Sequence, residues 1–230
     1  MLNHKVLAVI TARGGSKRLA KKNLRTLDGQ SLLERTIKAS INAKSVDRTV
    51  LSSDCPEIIK AGIACGCDVP FIRPPELATD DASSEDVLEH AIKKLPFFEW
   101  VMLLQPTSPF RTSDDVDLAF KLLRQVNRSS CVGVKRLQSG IELKGEHLFN
   151  GEVFSSNGQK KVSSDREFGV NFALNGAIYI CKTEFFLRKK KLIGTETVGI
   201  EMSAKKSLDI DTLGDLELAL ALLEGSNEVR

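Results

Sequence analysis

The stretch Val6–Arg25, VLAVITARGGSKRLAKKNLR, restricts the possible folds of this chain more than any other. It opens with an unbroken apolar run, Val6 to Ile10, rich in β-branched residues. Such a run reads as a strand covered on both faces, the habit of parallel sheets whose crossover helices exclude water from each side. Ala12-Arg13-Gly14-Gly15-Ser16-Lys17-Arg18 then forms a loop at the strand's C-terminal end. Gly14 and Gly15 are expected to open backbone conformations closed to other residues. Their bare N–H groups are expected to form an anion-binding concavity. Arg13, Lys17, Arg18, Lys21, Lys22 and Arg25 follow one another with no acid before Asp28. Charge of that density, at the edge where α/β sheets hold ligands, suits a polyphosphate; a solvated basic turn is the alternative. Neither the Walker A spacing nor the dinucleotide G-x-G-x-x-G is present.

The rest of the chain alternates strand and helix. Asp28-Gly29 gives a turn, and Ser31 with Glu34 forms a capping box for a helix carrying Leu32, Leu33, Ile37 and Ile41. Strands are expected at Thr49–Ser53, at Asp68–Arg73, at Trp100–Leu104 and at Cys131–Val134. Pro56 suits a first helical turn, and Ser83 or Ser84 and then Ser113 suit helix caps. This alternation implies right-handed βαβ units. Two loops are stiffened by prolines, Arg73-Pro74-Pro75 and Gln105-Pro106-Thr107-Ser108-Pro109. The first leads to a helix N-terminus, a good place to hold a ligand. Near the end stands Ser207-Leu208-Asp209-Ile210-Asp211-Thr212. Read as a strand, it puts Asp209 and Asp211 on one face and Ile210 on the other. Paired carboxylates resist joint ionisation unless a cation neutralises them, and Mg²⁺ takes one or two carboxylates plus substrate phosphates. Asn150-Gly151 reads as a hairpin signal, and Asn175-Gly176 as a turn that leads into a strand at Ala177–Cys181. Thr212 caps a final helix.

Five blocks, A-R-G-G-S-K-R-L-x-x-K-N-L, R-P-x-E-L-A-x-D-x-A-S-S, L-L-Q-P-T-S-P-F-R, N-G-A-I-Y-I and S-x-D-I-D-T, resemble the CMP-sialic acid (N-acylneuraminate) cytidylyltransferases. The likeness covers nearly the whole chain. It implies a single domain over residues 1–230 with a Rossmann-like, three-layer α/β nucleotidyltransferase fold and a mainly parallel sheet. It implies CTP contacts at Ala12, Arg13, Gly14, Ser16, Lys22, Asn23, Arg73 and Ser83. Acceptor-sugar contacts fall on Gln105, Asn175 and Tyr179, with Lys144 and Arg166 as candidates to meet the acceptor's carboxylate. Thr107, Ser108 and Arg111 shape the nucleotide cleft or hold its loop. Asp209 and Asp211 match the Mg²⁺ block. An inserted arm at about 138–172, polar and glycine-rich, is used by relatives to reach a second subunit, so a homodimer is implied. Many members carry an arginine-proline pair before the Asn-Gly; this chain has Ala173-Leu174.

The reaction implied is attack of a sugar hydroxyl on the α-phosphorus of CTP, with pyrophosphate leaving. For a nonulosonic acid the nucleophile is the anomeric hydroxyl, and N-acetylneuraminic acid is the first expected acceptor. Arg13, Lys22 and Asp211 carry the catalysis in this reading, by in-line placement and charge neutralisation. His4, His90 and His147 lie outside every block, which leaves an aspartate, a metal-bound hydroxide or water to take the proton. The net charge of +3 sits largely in the first 25 residues and aromatics make up 6%, which argues against a nucleic-acid surface. No apolar run approaches the ~20 residues of a membrane helix, so a cytoplasmic protein with five reduced cysteines is expected. Three rivals are the same chemistry on legionaminic, pseudaminic or 3-deoxy-octulosonic acid, a glycosyltransferase using Asp209-x-Asp211, and a CTP-binding regulator without catalysis.

Overall fold

The computed structural model describes residues 5–137, 148–155, 159–161 and 171–227. Strand β1 spans Val6–Thr11, followed by a small hairpin, β2 (Thr26–Leu27) and β3 (Gln30–Ser31), turning on Asp28 and Gly29, both at positive φ. Then come α1 (Leu32–Ile41), β4 (Arg48–Ser52), α2 (Pro56–Ala64), α3 (Ser84–Lys94), β5 (Trp100–Leu104), α4 (Ser113–Gln125) and β6 (Ser130–Leu137). Strands β7 (Val153–Phe154), β8 (Lys160–Lys161) and β9 (Asn171–Lys182), helix α5 (Thr183–Lys189), strand β10 (Thr197–Glu201) and helix α6 (Leu213–Asn227) complete the chain.

One eight-stranded sheet has the order β4-β1-β5-β9-β6-β10-β7-β8. Strands β4, β1 and β5 run parallel, as do β6, β10 and β7, while β9 runs antiparallel between the two groups. The alternation along β1 explains the layering. Val6, Ala8 and Ile10 share a core with Leu33 and Ile37 of α1, Ile58 of α2 and Val116 and Leu123 of α4. Leu7 and Val9 face the other way, against Leu88 and Ile92 of α3 and Phe185 and Phe186 of α5. A strand buried on both sides needs apolar residues at every position, which is why Val6–Ile10 is unbroken. The fold is therefore the expected α/β three-layer one.

Several local expectations give way. Asp68–Arg73 is not a strand; only Asp68 bridges to Val50. Helix α4 is capped by Thr112, not Ser113, through a reciprocal pair with Asp115. Asn150-Gly151 does not turn a hairpin; the antiparallel pair β7–β8 closes beyond it. Asn175-Gly176 is no turn either. Strand β9 runs straight through it, and its register against β6 shifts between Val132 and Val134, with Gly176 at φ 74°. A bulge takes up the extra residue that a turn would have used. The expected arm lies mostly outside the described residues; its described pieces add β7 and β8 to the sheet edge.

Candidate active site

The basic loop leaves β1 and is folded back on itself by a few buried groups. Asn23 is 5% exposed, and its amide donates to the Arg13 carbonyl at 3.0 Å. Asp54, at the end of β4, accepts from the Gly14 N–H at 3.0 Å. The Ser16 N–H is taken by the Gly14 carbonyl. The loop's left-handed residue is Lys21, at φ 53°, and not Gly14 or Gly15. Gly14 is required for a different reason: a Cβ there would lie 2.9 Å from Cys55 Cβ. Of the loop's N–H groups, those of Gly14 and Ser16 are thus taken within the protein, and the loop is pinned on Asp54 with its side chains facing the cleft.

A small separate core brings the two ends of the chain together. Leu19, from the basic loop, is buried with Leu27, Leu32, Leu216 and Ile210. Ile210 is fully buried, and its N–H donates to the Thr107 carbonyl at 2.8 Å. The segment around it is extended but joins no sheet, so the strand expected there does not form. Asp209 and Asp211 nonetheless flank the buried Ile210, as the alternation required. Asp211 accepts from Lys22 Nζ at 2.7 Å and pairs with Arg18 Nη2 at 2.6 Å, one cation on each carboxylate oxygen. Asp215 accepts from the N–H groups of Asp211 and Thr212 at 3.0 and 2.7 Å, capping α6 and fixing the turn behind the acids.

Asp209 keeps a path to solvent, yet dehydration by the surrounding protein pushes its carboxyl above the ordinary range. Neighbouring Asp211 pushes the same way, against a hydrogen bond from Thr107 and the charge of Lys22. Asp209 offers a carboxylate whose charge a divalent cation would relieve, whereas both oxygens of Asp211 are held by Lys22 and Arg18, so an ion shared by the two acids would have to displace one of these side-chain cations. Among the described residues no group of three acidic, cysteine or histidine ligands gathers, so any such ion would draw further oxygens from substrate.

The loop side chains line a cleft of about 500 Å³. Arg13, Ser16, Lys22, Asn23, Arg73, Ser83, Gln105 and Asp211 all border it. Ala12 and Gly14 do not line it; Ala12 is fully buried beneath it. Arg73 is held to the end of β4 by bonds to the Ser52 hydroxyl and carbonyl at 3.1 and 2.6 Å, and burial lowers its pKa to about 10. Ser83 caps α3 through Asp86. The cleft's missed residue is Asp80. Its carboxylate receives Arg13 Nη2 at 2.5 Å and also pairs with Lys17, closing one side of the cleft. In sequence it reads as mere loop polarity, because nothing local reveals a partner 67 positions away.

A second cavity of about 360 Å³ shares Ser84 and Gln105 with the first and is bordered by Tyr179. Burial, with Asp209 and Glu85 nearby, raises the Tyr179 pKa to about 12, so its hydroxyl remains a donor. Asn175 borders neither cavity. Its amide bonds Ser207 Oγ and the Ala177 N–H, both at 3.0 Å, and so holds the bulge. Lys144 and Arg166 lie outside the described residues. Arg111 works from below: its Nη1 donates to the carbonyls of Gln105 and Ala177 at 3.1 and 2.6 Å, tying the walls of both cavities.

With this geometry in hand, comparison with known proteins is informative. A family model described as "Cytidylyltransferase" matches residues 7–228. The chain is 34% identical to the CMP-N,N'-diacetyllegionaminic acid synthase of Legionella pneumophila, over 97% of this chain and 98% of that protein. It is 33% identical to the N-acylneuraminate cytidylyltransferase of Escherichia coli O18:K1:H7, over 97% of this chain but 53% of that protein, so it spans about half of that relative's length. Its fold matches the solved structure of a CMP:2-keto-3-deoxy-manno-octonic acid synthetase complexed with CTP, with a TM-score of 0.72 over 96% of this chain and 99% of that one at 16% identity. It also matches 4-diphosphocytidyl-2C-methyl-D-erythritol synthase from Anaerococcus prevotii, with a TM-score of 0.60 over 96% and 97% of the two chains at 17% identity.

Proposed function

The chain belongs to the cytidylyltransferase family of nucleotidyltransferases, and from that membership we propose that it transfers CMP from CTP to the anomeric hydroxyl of a nonulosonic acid, releasing pyrophosphate. N-acetylneuraminic acid is the acceptor expected from the sequence blocks. Legionaminic, pseudaminic and 3-deoxy-octulosonic acids are its alternatives. The single observation that supports the reading best is the meeting of Lys22 and Arg18 with Asp211 on the wall of one cleft.

The chemistry follows from that arrangement. Attack on the α-phosphorus spreads negative charge over the phosphate oxygens and the departing pyrophosphate, so catalysis rests on alignment and fixed positive charge. Arg13 and Lys22 supply that charge, and Arg13 and Lys17 exchange Asp80 for substrate phosphate when CTP enters. Arg73 and Ser83, which border the same cleft, would meet the nucleoside. Gln105 stands between the two cavities and orients the acceptor hydroxyl toward the nucleotide. Asp209 and Asp211 would hold Mg²⁺, which when bound supplies further neutralisation of phosphate charge. An aspartate, a metal-bound hydroxide or water would take the acceptor's proton. A homodimer whose arms complete the acceptor site is part of the proposal.

The test is pyrophosphate release from CTP on adding nonulosonic acids in turn to the purified chain. Release dependent on both CTP and acid supports the reading. CTP binding without release with any acid would leave the non-catalytic regulator instead.

A further inference from the structure

Outside the cleft, the longest unbroken run of cations in the sequence is Arg188-Lys189-Lys190-Lys191. Arg188 and Lys189 close α5, and Lys190 and Lys191 follow it. The run does not stand alone. Glu89 of α3 accepts from Lys93 Nζ at 2.6 Å and from Lys190 Nζ at 2.9 Å, both on one carboxylate oxygen. That shared acid joins the end of α5 to the last turn of α3, where Lys93 and Lys94 stand. All six of these cations are exposed, and three acids lie on or beside the same elements, Glu89, Glu99 and Glu184. The other acids of α3, Glu85 and Asp86, are in its first turn, at the opposite end of the helix. The surface shared by α3 and α5 is therefore cationic.

The chain places bare apolar side chains next to these cations. Phe97, in the turn after α3, is 83% exposed, more than any other large apolar side chain among the described residues. Leu187, beside Arg188, is 42% exposed. Cations are drawn to anionic headgroups, and phenylalanine and leucine enter the boundary between headgroup and acyl chain. A nucleic acid supplies the charge but not the second partner, since leucine has no π-face on which a base can stack. We propose that the face formed by α3 and α5 is a peripheral contact for a bilayer of anionic phospholipid. Lys93, Lys94 and the run from Arg188 to Lys191 meet the headgroups, and Phe97 and Leu187 insert among them. No helix among the described residues is long and apolar enough to cross a membrane, so the attachment is a surface one. Helix α3 is about 16 Å long at its ordinary rise, and Ser83, which caps its other end, borders the cleft. Lipid at Lys93 and Lys94 thus meets the end of the helix remote from CTP. This contact goes beyond the transfer reaction and does not depend on it.

The experiment is cosedimentation of the purified chain with vesicles of phosphatidylcholine, alone or with about a third phosphatidylglycerol. Excess CTP is present, so that the basic loop of the cleft is occupied. Binding is expected on the anionic vesicles alone. Raising salt from about 0.05 to 0.5 M should release the protein, because the Debye length contracts about threefold. Each cation near such a surface contributes about fivefold to partition, so Lys189→Gln combined with Lys191→Gln should weaken binding about 25-fold. Phe97→Ser should weaken it about five- to tenfold and leave the salt dependence in place. Thermal melts matching the parent's show that the variants are folded. No binding to anionic vesicles at the lower salt, equal binding to both kinds of vesicle, or a double variant that binds as the parent does overturns the assignment. Tighter binding to duplex DNA than to the vesicles, lost in the same double variant, overturns it in favour of a nucleic acid.

Discussion

Lys22 Nζ lies 2.7 Å from Asp211 Oδ1, across 189 positions of sequence. The pair is partly shielded, with side-chain exposures of 18% and 29%. It joins the amino-terminal basic loop to the segment that precedes the last helix.

Replacing the cation should disable chemistry without unfolding the protein. Lys22→Ala is expected to cut kcat by about 100- to 1,000-fold, the usual loss when one preorganised charge at a developing oxyanion is removed. The Tm should move little, since Asp211 retains Arg18. Steady-state pyrophosphate release and a thermal melt check both parts; near-normal turnover would remove Lys22 from the triphosphate site.

Removing the acid tests a different function. If Asp209 and Asp211 hold Mg²⁺ as proposed, Asp211→Ala is expected to abolish the magnesium dependence together with most of the activity, because one of the two proposed oxygen donors is lost. A magnesium titration with an unchanged midpoint would take Asp211 out of the metal site.

Asp80 offers the opposite sign. Its carboxylate pairs with Arg13 and Lys17, the cations proposed to meet the triphosphate, so CTP would have to displace it. Asp80→Asn is expected to lower the KM for CTP about two- to fivefold with kcat nearly unchanged, as suits exposed pairs. Hydrogen bonds from Lys17 and Arg13 hold this carboxyl below its ordinary range. It is therefore ionised at every pH above the usual carboxylate value and neutralised only as pH falls through the lowered one. The KM ratio of variant to parent should accordingly stay flat from about pH 5 to 8. A KM that rises in the variant would contradict the displacement.

Arg111 is 4% exposed, and burial depresses its pKa to about 9. Arg111→Ala orphans the carbonyls of Gln105 and Ala177 and leaves a void. A buried acceptor left without its donor costs about 1–3 kcal/mol, so the two carbonyls together cost about 2–6 kcal/mol, a Tm drop of roughly 4–24 °C in a chain of this size. A melt within a degree or two of the parent would show that the guanidinium is not a strut.

The sequence was most legible where chemistry and position coincide. Val6–Ile10 announced a strand covered on both faces, and Trp100–Leu104 was placed residue for residue, because burial on two sides leaves only apolar residues to choose from. That Asp211 meets the basic loop followed only from the resemblance of both blocks to one family, since charge clustering in the loop points to an anion without saying which residue reaches it. Contacts between distant loops were not. Asp54 under Gly14 and Asp80 over Arg13 are ordinary polar residues until the fold supplies their partners. Asn175-Gly176 was misread for a related reason: the dipeptide specifies a backbone twist, and only the neighbouring strand decides whether that twist makes a turn or a bulge.

The small core shared by Leu19 and Ile210 has a consequence for the order of events during synthesis. A growing chain that has emerged as far as β10 already displays its cluster of lysines and arginines, with no counter-charge from Asp211 and no Ile210 to seat Leu19. Contacts across so much intervening sequence form slowly, because closing the loop is unfavourable until both ends are present. Competence for the proposed transfer thus waits for Ile210 and Asp211, and chains halted before them carry the lysines and arginines of the first loop without this partner.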